Sequence, residues 1–266
     1  MSEAPPQTQA QGHSLRALLW LNFFVADVRT GLGPFLAAYL ASSGWNPARV
    51  GYALTFGGLV TVAMQTPAGA MIDAAHRKRV LLGLNLAVMV AGAVLLMGRV
   101  SAIKVYSAQF FIGLAGAFLA PTIAAITLGI VGASGFDRQF GKNQAFNSAG
   151  NVFTALLIAY ASYKFGYHSI FVVAALLAIP AALCNWAIDG KEIDYGRARG
   201  SGQKEGDKNA KAEGLSALLK DRVLLCFLGA VFLFHLANAA MLPELGGCCR
   251  RISRKSRRFL CPRALS

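Results

Sequence analysis

Apolar residues in this chain gather into long runs separated by short polar breaks. Seven windows are long enough to cross a hydrocarbon core as helices of about 20 residues: 16–41, 49–72, 80–98, 104–131, 144–163, 168–188 and 219–241. The pattern predicts an all-α membrane protein, a six-helix bundle over 16–188 followed by a seventh transmembrane helix over 219–241. Residues 1–15 read as a polar tail with no signal-peptide start or cleavage site. Residues 189–218 carry glycines, mixed charge and no apolar periodicity, and read as a flexible linker.

Glycines and alanines punctuate the runs at Gly57-Gly58, at Gly113 with Gly116, and at Ala149-Gly150. Small residues let helix backbones approach closely where lipid gives little drive for association. Pro34, Pro67, Pro121 and Pro180 fall inside apolar runs, where a missing amide donor bends a helix.

The placement of basic residues predicts the orientation. With the amino terminus in the cytoplasm, the inner segments hold Arg16, Arg77, Lys78, Arg79, Arg138, Lys142 and the eight basic residues between Asp189 and Arg222. The outer segments hold Arg49, Arg99, Lys104 and Lys164. That excess on one side follows the positive-inside rule and sets the amino terminus, and the linker, in the cytoplasm of a bacterial-type inner membrane.

Composition sharpens this picture. Only 14% of residues are charged, against about a quarter in soluble domains. The net charge of +14 is concentrated, with seven of the 26 Lys and Arg between Arg250 and Arg263. Basic stripes interleaved with aromatics are absent, which excludes a nucleic-acid platform. Cys184 and Cys226 sit in apolar runs and Cys248, Cys249 and Cys261 near the end, a spacing that predicts neither disulfides nor a metal site. No cofactor is expected. The basic stretch over 242–266 has no apolar run and would lie outside the membrane after a seventh helix, against positive-inside. It reads as an aberrant tail, the product of a frameshift or truncation.

One loop carries a specific motif. Between the second and third windows stand Gly69, Asp73, Arg77, Lys78 and Arg79, an acid near the end of one helix and a basic cluster opening the next, which suits a charge relay. With His76 in place of a usual glycine, this loop resembles the signature loop of the major facilitator superfamily. A second likeness, Gln109 with Gly113, Gly116 and Pro121, lacks the arginine that the family often has at the first position. The segment around Asn147 and Gly150 lacks the Gly-Pro signature of that family's drug antiporters. The resemblance implies a bundle built from three-plus-three inverted repeats and a second half of six more helices. It also implies that Gly69, Asp73, Arg77, Lys78 and Arg79 form a cytoplasmic latch.

Ionisable groups inside apolar runs are functional candidates, because lipid burial is costly unless they face a cavity or a partner. Asp27 and Arg29 lie near the centre of the first window. Two residues apart, they point about 200° apart on a helix and do not pair directly with each other. Arg29 shares a face with Asn22 and is suited to a bidentate contact with an anionic group; the plainer reading is a helix cap or an interhelical ion pair. Asp27 is suited to carry a proton or cation, or to sit in a fixed ion pair. Asn22, Gln109 and His235 are further cavity candidates, with Gln65, Asn85, Asn147, Asn151 and Asn238 behind them.

A serine-protease reading rests on Gly132-Ala-Ser134-Gly135 with a histidine base. It fails on topology, because Ser134 and His168 fall on opposite sides of the bilayer. No enzymatic activity is expected. The sequence therefore predicts secondary active transport of a small solute, anionic or zwitterionic, by alternating access coupled to protons. The chain by itself reads as incomplete for that task, needing a homodimer or a complementing half. The rival reading is a non-transporting half-module.

Overall fold

The computed structural model describes residues 9–30, 32–98, 100–199 and 222–239; for 9–11, 27–30, 32–34, 199, 224, 238 and 239 it describes only the backbone. Within those residues the secondary structure is helical, with no strand. The helices are α1 (Gln9–Thr30), α2 (Leu32–Ser42), α3 (Pro47–Ala74), α4 (Lys78–Leu95), α5 (Ala102–Phe165), α6 (Ser169–Ala187) and α7 (Arg222–Ala239). The chain divides into two compact units, Met1–Glu205 and Gly206–Ser266, of which the second contributes α7. Among the described helices, α4, α5 and α6 are each long and apolar enough to cross a membrane. The 28 residues of α3 are long enough too, but Thr55, Thr61, Gln65 and Thr66 dilute their apolar character.

Local chemistry sets the helix ends. Asn46 caps α3 by accepting the Arg49 N–H at 2.8 Å, with Pro47 at the first helical position, where its missing donor costs nothing. Ser101 accepts the Lys104 N–H at the start of α5. The first predicted window is covered by two helices, and α1 begins at Gln9, ahead of the expected start at residue 16. The earlier start is explained by burial of Ser14 and Leu15, with the Ser14 hydroxyl accepting the Asp189 N–H at 3.0 Å.

The fourth and fifth windows form one element, α5, broken at Gly132, whose φ of 69° and ψ of 178° leave the helical region. The arms 102–131 and 133–165 fold back on each other. Asn143 Nδ2 donates to Thr127 Oγ1 at 3.0 Å, whereas the 16 residues between them would span about 24 Å in an unbroken helix.

Two apolar clusters fill the bundle, one at each end. The first joins Leu15, Leu18 and Leu21 of α1 to Leu82 and Leu86 of α4, Ile126 and Ile130 of the first α5 arm, and Ala181 of α6. The second joins Leu36 and Leu40 of α2 to Val50 of α3, Val105 and Ile158 of the two α5 arms, and Ile170 and Phe171 of α6. The early residues of α1 and α4 thus sit with the late residues of α6 and of the first α5 arm. The passes therefore alternate in direction, and short connections suffice.

The start of the predicted linker is ordered, contrary to expectation. Residues 190–192 and 197–199 form two 3-10 turns beneath the first cluster. Asp194 N–H donates to the Gly129 carbonyl at 3.1 Å, and Ile193 and Ala198 are buried against Gly129. Two apolar side chains and a backbone bond were enough to fix a segment whose composition reads as mobile. The rest of the linker and the basic stretch over 242–266 lie outside the described residues.

Candidate substrate-facing helices and the loop motif

Two close helix crossings organise the interior. At the first, α1 meets the second arm of α5 at Gly150: a β-carbon there would collide with the Phe23 carbonyl oxygen and stand 2.9 Å from Ala26 Cβ. Asn22, one residue from this contact, is buried and donates to the Leu18 carbonyl at 2.8 Å. Its own carbonyl accepts from Asn147 Nδ2 at 3.4 Å, and Asn147 Oδ1 accepts from Asn151 at 3.4 Å. Asn147 and Asn151 are half-buried, so this amide ladder runs from the α1 backbone toward the bundle surface. Phe23 and Trp20 wall it, with Phe23 5.4 Å from Phe153 and Trp20 5.7 Å from Phe146.

At the second crossing, α3 meets the first arm of α5. A β-carbon on Gly113 would stand 2.5 Å from the Gly57 carbonyl, and Thr61 Oγ1 lies 3.0 Å from the carbonyls of both Gly57 and Gly113. Gln109 is buried and donates to the Ala53 carbonyl at 3.0 Å. It is used as interhelical glue, and Asn85, which donates to the Ala115 carbonyl at 3.0 Å, is used the same way. Interhelical hydrogen bonds in membranes contribute about 0.6 kcal/mol on average and about 1.7 at most. Gln109→Leu is therefore expected to lower stability by no more than that, measured by unfolding in detergent. A larger loss would mean that the side chain does more than bridge α3 and α5.

Away from the second crossing, α3 turns outward a face that carries polar residues. Thr55, Gly58, Val62, Gln65 and Thr66 are exposed and follow a helical repeat along one face. Ser148, on the second arm of α5, is exposed as well.

The backbone of α1 carries Asp27 and Arg29 just beyond the Phe23–Gly150 crossing; their side chains, and that of Asn238, lie outside the described residues. His235 belongs to α7 in the second unit, where its Nδ1 lies 2.9 Å from the Val231 carbonyl. Ser134 is exposed just after the Gly132 break, while His168 rests against Tyr39 at 5.4 Å in the second cluster's end of the bundle. The two are at opposite ends, which leaves the protease geometry unformed.

The loop motif is divided by its environment. Asp73 sits exposed in the last turn of α3, where the helix dipole disfavours an acid, and Arg77, just ahead of α4, is exposed as well. Lys78 is fully buried, its Nζ 2.5 Å from the Ile72 carbonyl at the end of α3. Arg79 reaches across to α6: its Nη2 donates to the Trp186 carbonyl at 2.7 Å, its guanidinium lies 5.7 Å from the Trp186 ring, and its own carbonyl accepts from Asn185 at 3.0 Å. Lys78 and Arg79 thus tie α3, α4 and α6 together, and Asp73 and Arg77 face outward.

Sequence reading missed one buried network. Gln139 Nε2 donates to Asn143 Oδ1 at 3.1 Å, Asn143 to Thr127 Oγ1, and Thr127 Oγ1 to the Ile123 carbonyl at 2.7 Å. Residues 132–143 read as a connection because polar residues interrupt the apolar run. The i, i+4 spacing of Gln139 and Asn143 was the available signal of one helical face.

The family model described as Major Facilitator Superfamily matches residues 18–245. Among curated proteins, an uncharacterized MFS-type transporter found in two strains of Mycobacterium tuberculosis is 38% identical over 239 residues, covering 87% of this chain and 56% of its own length. The chain spans about half the length of the curated relatives it matches.

Proposed function

Because this chain belongs to the major facilitator superfamily, and is an integral membrane protein, we propose that it forms one half of a proton-coupled transporter moving a small solute by alternating access. The observation that carries this reading is the outward face of α3 with its exposed polar residues. In lipid, the Gln65 amide would be left without a partner, at a cost of several kcal/mol for an unsatisfied polar group, and Thr55 and Thr66 would have only the carbonyl one turn back to bond. Facing a water-filled cavity shared with a second half, they cost little. This face therefore marks the cavity side of the bundle.

On this reading the first helix lines the cavity. Arg29 binds the anionic group of an anionic or zwitterionic solute, and Asp27 carries the proton. Positions two apart on a helix lie about 200° around its axis, so on this reading solute and proton occupy separate places. Gly69, Asp73, Arg77, Lys78 and Arg79 form the cytoplasmic latch, with exposed Asp73 and Arg77 as its engaging groups. Lys78 and Arg79 hold the loop that presents them. The amino terminus is cytoplasmic in a bacterial-type inner membrane. Family cavities lie between two halves, so the second half comes from a complementing chain or from a second copy.

The test is reconstitution. Proteoliposomes loaded with a pH-sensitive dye would receive this chain alone, or this chain together with the remaining half of the mycobacterial relative, and then a panel of anionic and zwitterionic solutes. Solute-driven internal pH change is expected with both halves present and is expected to vanish with Asp27→Asn or Arg29→Ala. Activity of this chain alone would favour the homodimer. No flux in either preparation would leave the non-transporting half-module as the better reading.

A further inference from the structure

Outside the crossings, α1 and α6 frame an open groove of 350 Å³ lined by His13, Arg16, Ala17, Trp20, Leu183, Cys184 and Ala187. From its lining we infer that this groove binds an anionic phospholipid, with the headgroup phosphate on His13 and Arg16 and an acyl chain along Trp20 and Leu183. The inference rests on the membrane embedding of the chain and is independent of whether it transports.

Four observations support the assignment. His13 and Arg16 are one helical turn apart on α1, both exposed, and among the described residues the side chain of neither makes a hydrogen bond or ion pair. Trp20, one turn further along, is 49% exposed and Leu183 on the facing helix is 65% exposed, so a cationic end passes into an apolar wall along one axis. The groove is built rather than incidental, because the Ser14 hydroxyl accepts the Asp189 N–H and pins the start of α1 to the end of α6. The neighbouring acid is not paired with His13 or Arg16: Asp189 Oδ1 accepts the Lys191 N–H at 2.9 Å, and no ion pair joins Asp189 to either side chain among the described residues.

Position selects lipid as the occupant. The sequence places Arg16 at the head of the first membrane window, the depth of lipid phosphates, while Trp20 and Leu183 fall within the apolar windows. An amphiphile with its phosphate at that depth meets both halves of the groove at once. Inorganic phosphate would use only the polar end, and another apolar helix would leave Arg16 unpaired. The basic stretch from Arg250 to Arg263 has the wrong sign to fill it.

Quenching by brominated lipid tests this in the full chain. With Trp45 and Trp186 replaced by phenylalanine, Trp20 is the one remaining indole. In phosphatidylcholine nanodiscs, a minor fraction of brominated phosphatidylglycerol is expected to quench Trp20 well beyond the same fraction of brominated phosphatidylcholine. A preference of roughly fivefold per engaged cation is expected from the strength of basic residues at anionic bilayers. The double variant His13→Gln with Arg16→Gln should remove that preference, and Arg16→Lys should largely keep it. Both positions are exposed, so folding is not at issue, and residual quenching by brominated phosphatidylcholine reports an intact groove. Equal quenching by the two lipids in the parent, or a preference unchanged in the double variant, would overturn the proposal. Reversal by millimolar inorganic phosphate would overturn lipid as the occupant.

Discussion

Gly150→Ala is expected to destabilise the bundle by about 3 kcal/mol or more, the upper end of what overpacking costs. The added carbon would overlap the Phe23 carbonyl oxygen and crowd Phe23 C at 2.8 Å and Ala26 Cβ at 2.9 Å. These are backbone or rigid atoms of α1, so relief requires the whole helix to move away from α5. That displacement would also break the Asn147 bond to the Asn22 carbonyl. Thermal unfolding in detergent measures it, and the other helix glycines supply the scale. Gly113→Ala meets the Gly57 carbonyl and should follow closely. Gly57→Ala meets mainly the amide end of Gln109, which can shift, and should cost less. At Gly58 and Gly69 nothing stands within 4 Å, so alanine there should be neutral or stabilise by the better helix propensity, up to about 1 kcal/mol. If Gly58 and Gly150 tolerate alanine equally, the α1–α5 crossing is not as close as described.

The same glycines show how far the sequence could be read. Small-residue density pointed to Gly57-Gly58 and Ala149-Gly150 as places of close approach, and Gly57 and Gly150 are such places. Density could not say which member of each pair meets the neighbouring helix, because that depends on the rotation of two helices about their own axes. The amide candidates divide for a similar reason. Asn22, Gln109 and Asn147 all read as polar groups in need of partners. Gln109 finds its partner wholly inside the half-bundle, on the Ala53 carbonyl, while Asn147 and Asn151 continue toward the surface. Burial separates the two cases here, and burial is set by the tertiary crossing rather than by the run of sequence around each residue.

The basic cluster after α3 makes the point in charge. Arg77, Lys78 and Arg79 are equivalent in a count of positive residues, yet one is exposed, one is fully buried and one lies on Trp186. A helix beginning at Lys78 fixes their directions about 100° apart, so three consecutive cations meet three different surroundings. Asp73 remains outward at the end of α3, where an acid opposes the dipole. A group that costs its own helix stability is more readily explained by a contact made outside the helix, which is the role given to it in the latch.

Gly132→Ala is expected to cost about 1–3 kcal/mol, and Gly132→Asn no less. Space does not limit the position: the nearest atom to an added carbon is Arg197 Nη1, at 3.9 Å. The penalty lies in the backbone. At φ 69° and ψ 178° the residue is outside the left-handed helical well near ψ 47°, the region asparagine tolerates. A glycine that merely ended a helix in that well would be replaced by asparagine with little loss, so the pair of variants separates the two geometries. The strain also has an alternative outlet, because alanine favours continuing the helix through the break. Straightening would carry Asn143 far from Thr127 and leave both without the bond that now joins the arms. Combining Gly132→Ala with Asn143→Leu distinguishes the outcomes in detergent unfolding. Additive losses mean that the turn persists under strain, and a double variant no worse than Gly132→Ala alone means that the arms had already separated. Full rescue by asparagine would contradict the backbone geometry on which the reversal between the two arms depends.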